Sequence, residues 1–442
     1  MLWLLGVCAL TAAVWVAALV AAPPQWTKRA NVWGGVVLGA LTVAGLVPLL
    51  GDRSVADVGV VTELGAGPVR LLQAMTVVVV CAGIGALLTS GRSLGRAGWV
   101  VSGLWGLAAV DVVGGLTTGT FDAAQPMVVL ALATHAVVAA VPDADTFLVW
   151  SRRALRVIVG GSVACVVLAP EVAYIGANFA GELDRTLFGV ARLSGITPHP
   201  GALGFVAAMA VVVEVGAPDR WSKWWACAAV GCLVFAQSRT LWSAAVVALI
   251  VLLMVRRPGA RALATVACAS VIVTLAARPS LVTEADWTQG SNNVATVSGR
   301  TVIWDYSLRA FEGHEWIGVG PGFMGERWRL DHLPPSLQFV VNAHNQAVQT
   351  LAQNGLVGLA LLCILVVAGC VAAWSARHVD GGIGLALMTV VVLNGMTSVP
   401  LRPNGVMVLP PLIVFGYLAV ATRKNPHFDP RVEVRDDTLL AS

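Results

Sequence analysis

Residues 356–374 read LVGLALLCILVVAGCVAAW, a run of nineteen with no charge, amide or hydroxyl. At about 1.5 Å per residue a helix of that length covers roughly 28 Å, close to the ~30 Å of hydrocarbon at the centre of a bilayer. The same pattern recurs in both directions along the chain. Candidate spans begin near Leu2, Val32, Leu71, Ala97, Pro126, Leu155, Gly201, Ser222, Thr240, Ala262, Gln346, Gly382 and Gly405, about twelve to thirteen in all. Of the 442 residues 57% are hydrophobic and only 12% charged, a balance that a water-soluble chain of this length would meet only by exposing its core. The spans are uniformly apolar and do not alternate, so helices are expected and barrel strands are not. The fold class is therefore an all-α polytopic membrane protein with one large outward loop.

The basic residues set the orientation. Arg92 and Arg96, the group Arg152, Arg153 and Arg156, then Arg220 with Lys223, Arg256 with Arg257 and Arg261, Arg377, and Arg423 with Lys424 fall on alternate connections. That side is expected to be cytoplasmic. The segment 2–22 lacks a positive n-region and is followed by Pro23, Pro24, Lys28 and Arg29, so it reads as a retained helix, not a signal peptide. The eight cysteines lie in apolar segments without CxxC spacing, and neither a disulfide framework nor a metal site is expected.

Of the outward connections only 279–343 is long. It carries Arg300, Arg309, Arg327 and Arg329 against seven acidic residues, with Trp287, Trp304, Trp316 and Trp328 interspersed, a composition that argues for an ordered and functional loop. Ile303, Trp304, Leu308 and Phe311 recur at helical spacing, which predicts an amphipathic helix on the bilayer surface. Gly318, Gly320, Gly322 and Gly325, with Pro321 among them, read as a turn that brings backbone close to something.

These residues carry a resemblance. The run SGRTVIWDYSLRAFEGHEWIGVGPGF (298–323) and the run NAHNQAVQTLAQNGLVG (342–358) together resemble the signature of the O-antigen ligase and O-antigen polymerase superfamily. The matching features are Arg300 and Trp304, the glycine turn 318–322, and His344 and Asn345 opening a helix with Gly355 ten residues on. Two upstream pieces agree, ARLSGITPHPGALGF (191–205) and QSRTLW (237–242), and the likeness covers roughly 185–365. The resemblance implies a GT-C-like ligase architecture. It also implies transfer of a glycan from a polyprenyl diphosphate carrier to a glycan, lipid or protein acceptor, with no cofactor, nucleotide sugar or metal. The division expected is N-terminal helices over 1–178, a catalytic membrane region over 179–425 and a cytoplasmic tail over 426–442.

The chemistry of the residues points the same way. A diphosphate leaving group at a membrane surface calls for fixed cations, and Arg supplies a permanently charged fork that pairs two phosphate oxygens. Arg192, Arg239 and Arg300 all fall on outward connections. His344 has an ordinary pKa near operating pH and suits a base or an orienting group for the attacking hydroxyl. The expected catalytic residues are thus His344 and Arg300, with Arg192, Arg239, His199 and Asn345 on the diphosphate or glycan. Each has a plainer reading: a snorkelling anchor for the arginines, a helix cap for His199, His344 and Asn345. Asp305 and Glu315 are further acid-base candidates. Asp111 and Glu214 lie inside apolar segments, where Glu214 is expected to snorkel and Asp111 to pair with an arginine, to be protonated or to face water. The alternatives are a polymerase of lipid-linked repeat units and, from another class, a membrane transporter or lipid flippase. Against transport, the ionisable residues crowd one face, and no pair of Gly/Pro-broken helices marks two halves. The lipid bilayer is the expected surrounding, and nucleic acid is not an expected partner.

Overall fold

A computed structural model describes residues 29–46, 66–90, 98–175, 191–257, 297–338, 340–401 and 408–423. The spans expected near Leu2 and Ala262 lie outside the described residues. The helices in chain order are α1 (Arg29–Leu46), α2 (Ala66–Ser90), α3 (Gly98–Thr118), α4 (Gln125–Ala140), α5 (Ala144–Leu168), the single turn α6 (Pro170–Ala173), α7 (Pro200–Gly216), α8 (Ser222–Phe235), α9 (Arg239–Arg256), α10 (Val297–Phe311), α11 (Glu326–His332), α12 (Gln346–Ala376), α13 (Ile383–Gly395) and α14 (Leu409–Arg423). Among the described residues the only strands are a two-residue pair, β1 (Tyr174–Ile175) antiparallel to β2 (Arg192–Leu193).

Among the described residues five stretches are long and apolar enough to cross a membrane: Arg70–Leu88, Gly98–Thr118, Phe121–Ala140, Arg239–Arg256 and Gln346–Ala376. Four shorter apolar helices, α7, α8, α13 and α14, accompany them. The protein is an all-helical polytopic membrane protein. Its main core is aliphatic, drawn from α1 to α5, α7 to α9 and α12 to α14, with Phe147, Phe205 and Phe415 fully buried.

The bundle has two chemically distinct ends. At one, Arg156 donates to both oxygens of Glu214 at 2.6 and 2.7 Å and reaches Asp219 at 2.9 Å, while Arg152 pairs with Asp219 at 3.2 Å. Ser222 adds a hydrogen bond to Glu214 at 2.5 Å. Glu214 is 3% exposed, which corrects the expectation that it snorkels. Burying that carboxylate is tolerable because Arg156 and Ser222 satisfy it, where a lone charge would cost several kcal/mol or more. The Arg156 guanidinium also holds the Asp219 carboxyl well below the usual carboxylate range. Arg256 donates to the carbonyls of Val215, Gly216 and Gly381 at this same end, joining α9 to α7 and to the turn before α13.

The other end carries α10, α11 and the glycine turn. These form a small domain with its own core of Ile303, Phe323, Met324, Leu333, Leu337, Val340 and Ala352. The helix expected around Ile303 exists, but its buried side, with Ile303 and Ser307, packs on α12 and is not laid free on a surface. Trp328 stands edge-on to Phe323, with ring centroids 4.7 Å apart, and stacks on His332 at 4.8 Å.

Candidate functional site

The site is organised by a break in α12. Gly355 has φ +64° inside an otherwise helical run, so the bonds that would join the amides of Leu356 and Val357 to the carbonyls of Ala352 and Gln353 cannot form. The glycine turn takes both ends of each missing bond. Leu356 donates to the carbonyl of Glu315 at 2.7 Å and Val357 to that of Trp316 at 3.1 Å, while Val319 and Gly320 donate to the carbonyls of Ala352 and Gln353 at 2.9 Å. Four backbone groups that the break leaves without helical partners are thereby satisfied. Contact is close enough that a Cβ on Gly355 would lie 2.4 Å from the Trp316 carbonyl carbon, and one on Gly318 2.4 Å from that of Gln353. This is what the glycine run approaches.

Beyond the break, residues 356–376 make 21 residues of helix, about 32 Å, enough to span the hydrocarbon. The nine residues before it, Gln346 to Asn354, belong to the loop end. They begin at Asn345, whose Oδ1 accepts from the amides of Ala347 and Val348 at 2.9 and 3.1 Å, a helix cap. Its Nδ2 donates to the carbonyl of Met396 at 3.3 Å, so the side chain also fastens α12 to the end of α13.

His344 immediately precedes that cap. It is half-buried, its φ of +50° lies in the left-handed region, and its amide donates to Asn342 Oδ1 at 2.9 Å. A non-glycine residue held there stores about 1–3 kcal/mol of backbone strain, which persists only where neighbours overdetermine it. Two neighbours do so at Ala343. Its carbonyl accepts from Trp304 Nε1 at 2.8 Å and its amide donates to Gln349 Oε1 at 2.9 Å. The Trp304 bond links α10 to the His344 segment, and Arg300 lies one helical turn before Trp304 on the same face. Arg300 is half-buried. Burial lowers its guanidinium pKa from the ordinary value, and no described carboxylate offsets that loss.

The remaining candidates gather at the same end. Arg192 Nε donates to the carbonyl of Ala236 at 3.2 Å, which sets β2 against the turn leading into α9, where Arg239 is the exposed first residue. His199 is exposed and caps α7, its Nδ1 accepting from the amide of Gly201 at 3.0 Å. Asp305 is paired with Arg309 at 2.7 Å on an exposed face. Glu315 is exposed and accepts from the amide of Gly313 at 2.9 Å, which lowers its carboxyl pKa. His314 and His332 are exposed. His135 packs between helices, accepting from Trp105 Nε1 at 3.3 Å.

Asp111 is held by side-chain amides of α12. This residue of α3 is 6% exposed, and its Oδ1 accepts from Gln353 Nε2 at 2.7 Å and from Asn354 Nδ2 at 2.6 Å. Gln349, Gln353 and Asn354 are the residues that the sequence reading missed. The available signal was the i, i+4 pair of glutamines opening an otherwise apolar helix, where an amide without a partner would be costly.

A comparison with curated proteins found no match. Residues 225–363, about a third of the chain and including α10, the glycine turn and both sides of the break, match the model of the family described as O-antigen ligase. That match supports assigning the chain to the O-antigen ligase and O-antigen polymerase superfamily.

Proposed function

We propose that this protein is a ligase-type membrane glycosyltransferase that moves an oligo- or polysaccharide from a polyprenyl diphosphate carrier to an acceptor hydroxyl on the outer face of a bacterial cytoplasmic membrane. The carrying observation is the Trp304 to Ala343 hydrogen bond, which ties the Arg300 helix to the turn that presents His344. The half-buried Arg300 guanidinium, which no described carboxylate offsets, suits an anion, and a diphosphate is the anion that this reaction supplies. In this reading the end bearing Arg152, Arg156 and Arg256 is cytoplasmic, by the bias of basic residues, and the end bearing α10 faces outward. In the same reading the catalytic region is 179–425 and includes the outward loop 279–343.

The reaction is a single inverting displacement. His344 takes the proton of the attacking hydroxyl as its oxygen forms the new bond to the anomeric carbon. The sugar–phosphate bond breaks, and its electron pair leaves on the diphosphate. Arg300, assisted by Arg192 and Arg239, neutralises the charge that develops there, with His199 at the margin of the same surface. Asn345 sets the turn from which His344 projects.

A strain deleted for this protein, analysed by mass spectrometry of its lipid-linked glycans, tests the reading. Full-length polymer left on the carrier is the expected result, and single repeat units would transfer the assignment to a polymerase. No change in the lipid-linked pool would overturn both. Complementation with Arg300→Ala or His344→Ala is expected to fail.

A further inference from the structure

We propose that Asp111 is a positioning residue for His344, acting from a different helix through a relay of side-chain amides; this rests on the role given to His344 above. Asp111 Oδ1 receives two N–H groups and acts only as an acceptor. Gln353 must therefore turn its NH2 toward α3, which turns its Oε1 the other way, toward Gln349. Gln349 Nε2 donates to that oxygen at 3.2 Å. Having spent its donor there, Gln349 presents Oε1 to the amide of Ala343, the contact at 2.9 Å that fixes the residue before His344.

The polarity of every link is set by the carboxylate at the end. A primary amide can point either its oxygen or its nitrogen along such a chain, and only the orientation imposed by an acceptor at position 111 leaves an oxygen facing the Ala343 N–H. With the chain reversed, an NH2 would face that amide and Ala343 would lose its contact with Gln349 while keeping the Trp304 contact on its carbonyl. The strained φ of His344 makes this consequential, because a conformation held against its own preference relaxes when a fastening is lost. Asp111 also holds Asn354, so the same group anchors the residue just before the break in α12.

Hydrogen exchange of the full-length protein in lipid nanodiscs, followed at the Ala343 amide, tests the relay without any substrate. Gln353→Met touches neither Ala343 nor His344, yet it is expected to speed exchange at Ala343 by about tenfold, the effect of losing one hydrogen bond of ordinary strength. Asp111→Leu is expected to do the same, and Asp111→Asn, whose side-chain oxygen still accepts, to stay within about threefold of wild type. The double variant Asp111→Leu with Gln353→Met is expected to exchange no faster at Ala343 than either single, because all three break one chain. An Ala343 rate unchanged by Gln353→Met, or a double variant in which the two effects multiply, would overturn the proposal. Should His344→Ala retain full glycan transfer in the complemented strain, the function assigned to His344 fails, while the exchange rates still decide the relay.

Discussion

The indole of Trp304 donates to the carbonyl of Ala343 across 39 residues of sequence, at 2.8 Å, and so fastens the loop helix to the residue before His344. Trp304→Phe keeps most of the ring packing and removes only the donor. A net loss of about 1 kcal/mol is the ordinary cost of one such bond. Because the bond positions a reacting group, glycan transfer by membranes of the complemented strain is expected to fall about tenfold with normal protein levels. Transfer at the wild-type rate would remove the Trp304 bond from the mechanism.

Gly355→Ala meets two penalties together, a left-handed φ and a Cβ 2.4 Å from the Trp316 carbonyl carbon. The backbone conformation alone costs about 1–3 kcal/mol, and the clash adds to it. Detergent-extracted protein is expected to lose most of its monodisperse fraction. Gly231→Ala in α8, where a Cβ meets nothing within 4 Å, is expected to keep it. Equal yields for the two would mean that the break tolerates a side chain.

Asn345→Ala removes the cap of α12, at about 1 kcal/mol. Thermal unfolding followed by circular dichroism should show a midpoint lower by a few degrees, and Asn345→Asp, which can still accept from both amides, should show little change. Transfer per folded molecule is expected to stay within about threefold for both. A complete loss of transfer by well-folded Asn345→Asp would instead place this side chain on the substrate.

At the opposite end, Glu214→Ala leaves Arg156 without its bidentate partner in a largely buried place, and about 3 kcal/mol of stability is expected to go with it. The pH dependence has a definite sign. Because Arg156 depresses the folded pKa of Asp219, the stability from that pair is complete above its unfolded value near pH 4 and declines only as pH falls below that, through the depressed value. Melting temperature in detergent should therefore not fall between pH 7 and pH 5 on account of this pair. A decline in that window that Asp219→Asn abolishes would show the pairing to be wrong.

Much of the architecture was legible because hydrocarbon imposes simple demands. The nineteen apolar residues at 356–374 could only be a membrane helix, and the basic clusters at Arg152 to Arg156 and Arg256 do lie together at one end. The helix around Ile303 was visible in its periodicity. Its docking on α12 was not, since spacing reports which face is buried but not what buries it. The amides that hold Asp111 were also hidden: they lie 242 and 243 residues away, on a helix whose amides read as ordinary polar residues near a span end. The resemblance marked Gly355 as a matching residue but not as a break, because a lone glycine in a long helix has no local signature of a positive φ.

The paired backbone at 315–320 and 352–357 bears on how the protein is made. Synthesis runs from the N-terminus, so the glycine turn has left the ribosome before α12 follows it. When α12 enters the bilayer, the break at its loop end leaves four peptide groups without helical partners, and in the folded protein the turn pairs them. Final seating of this helix is therefore coupled to folding of the segment on the membrane surface. A chain whose loop has misfolded carries its own mark for disposal, a transmembrane helix that cannot settle, and damage to the loop is expected to surface first as lost abundance and only then as lost activity.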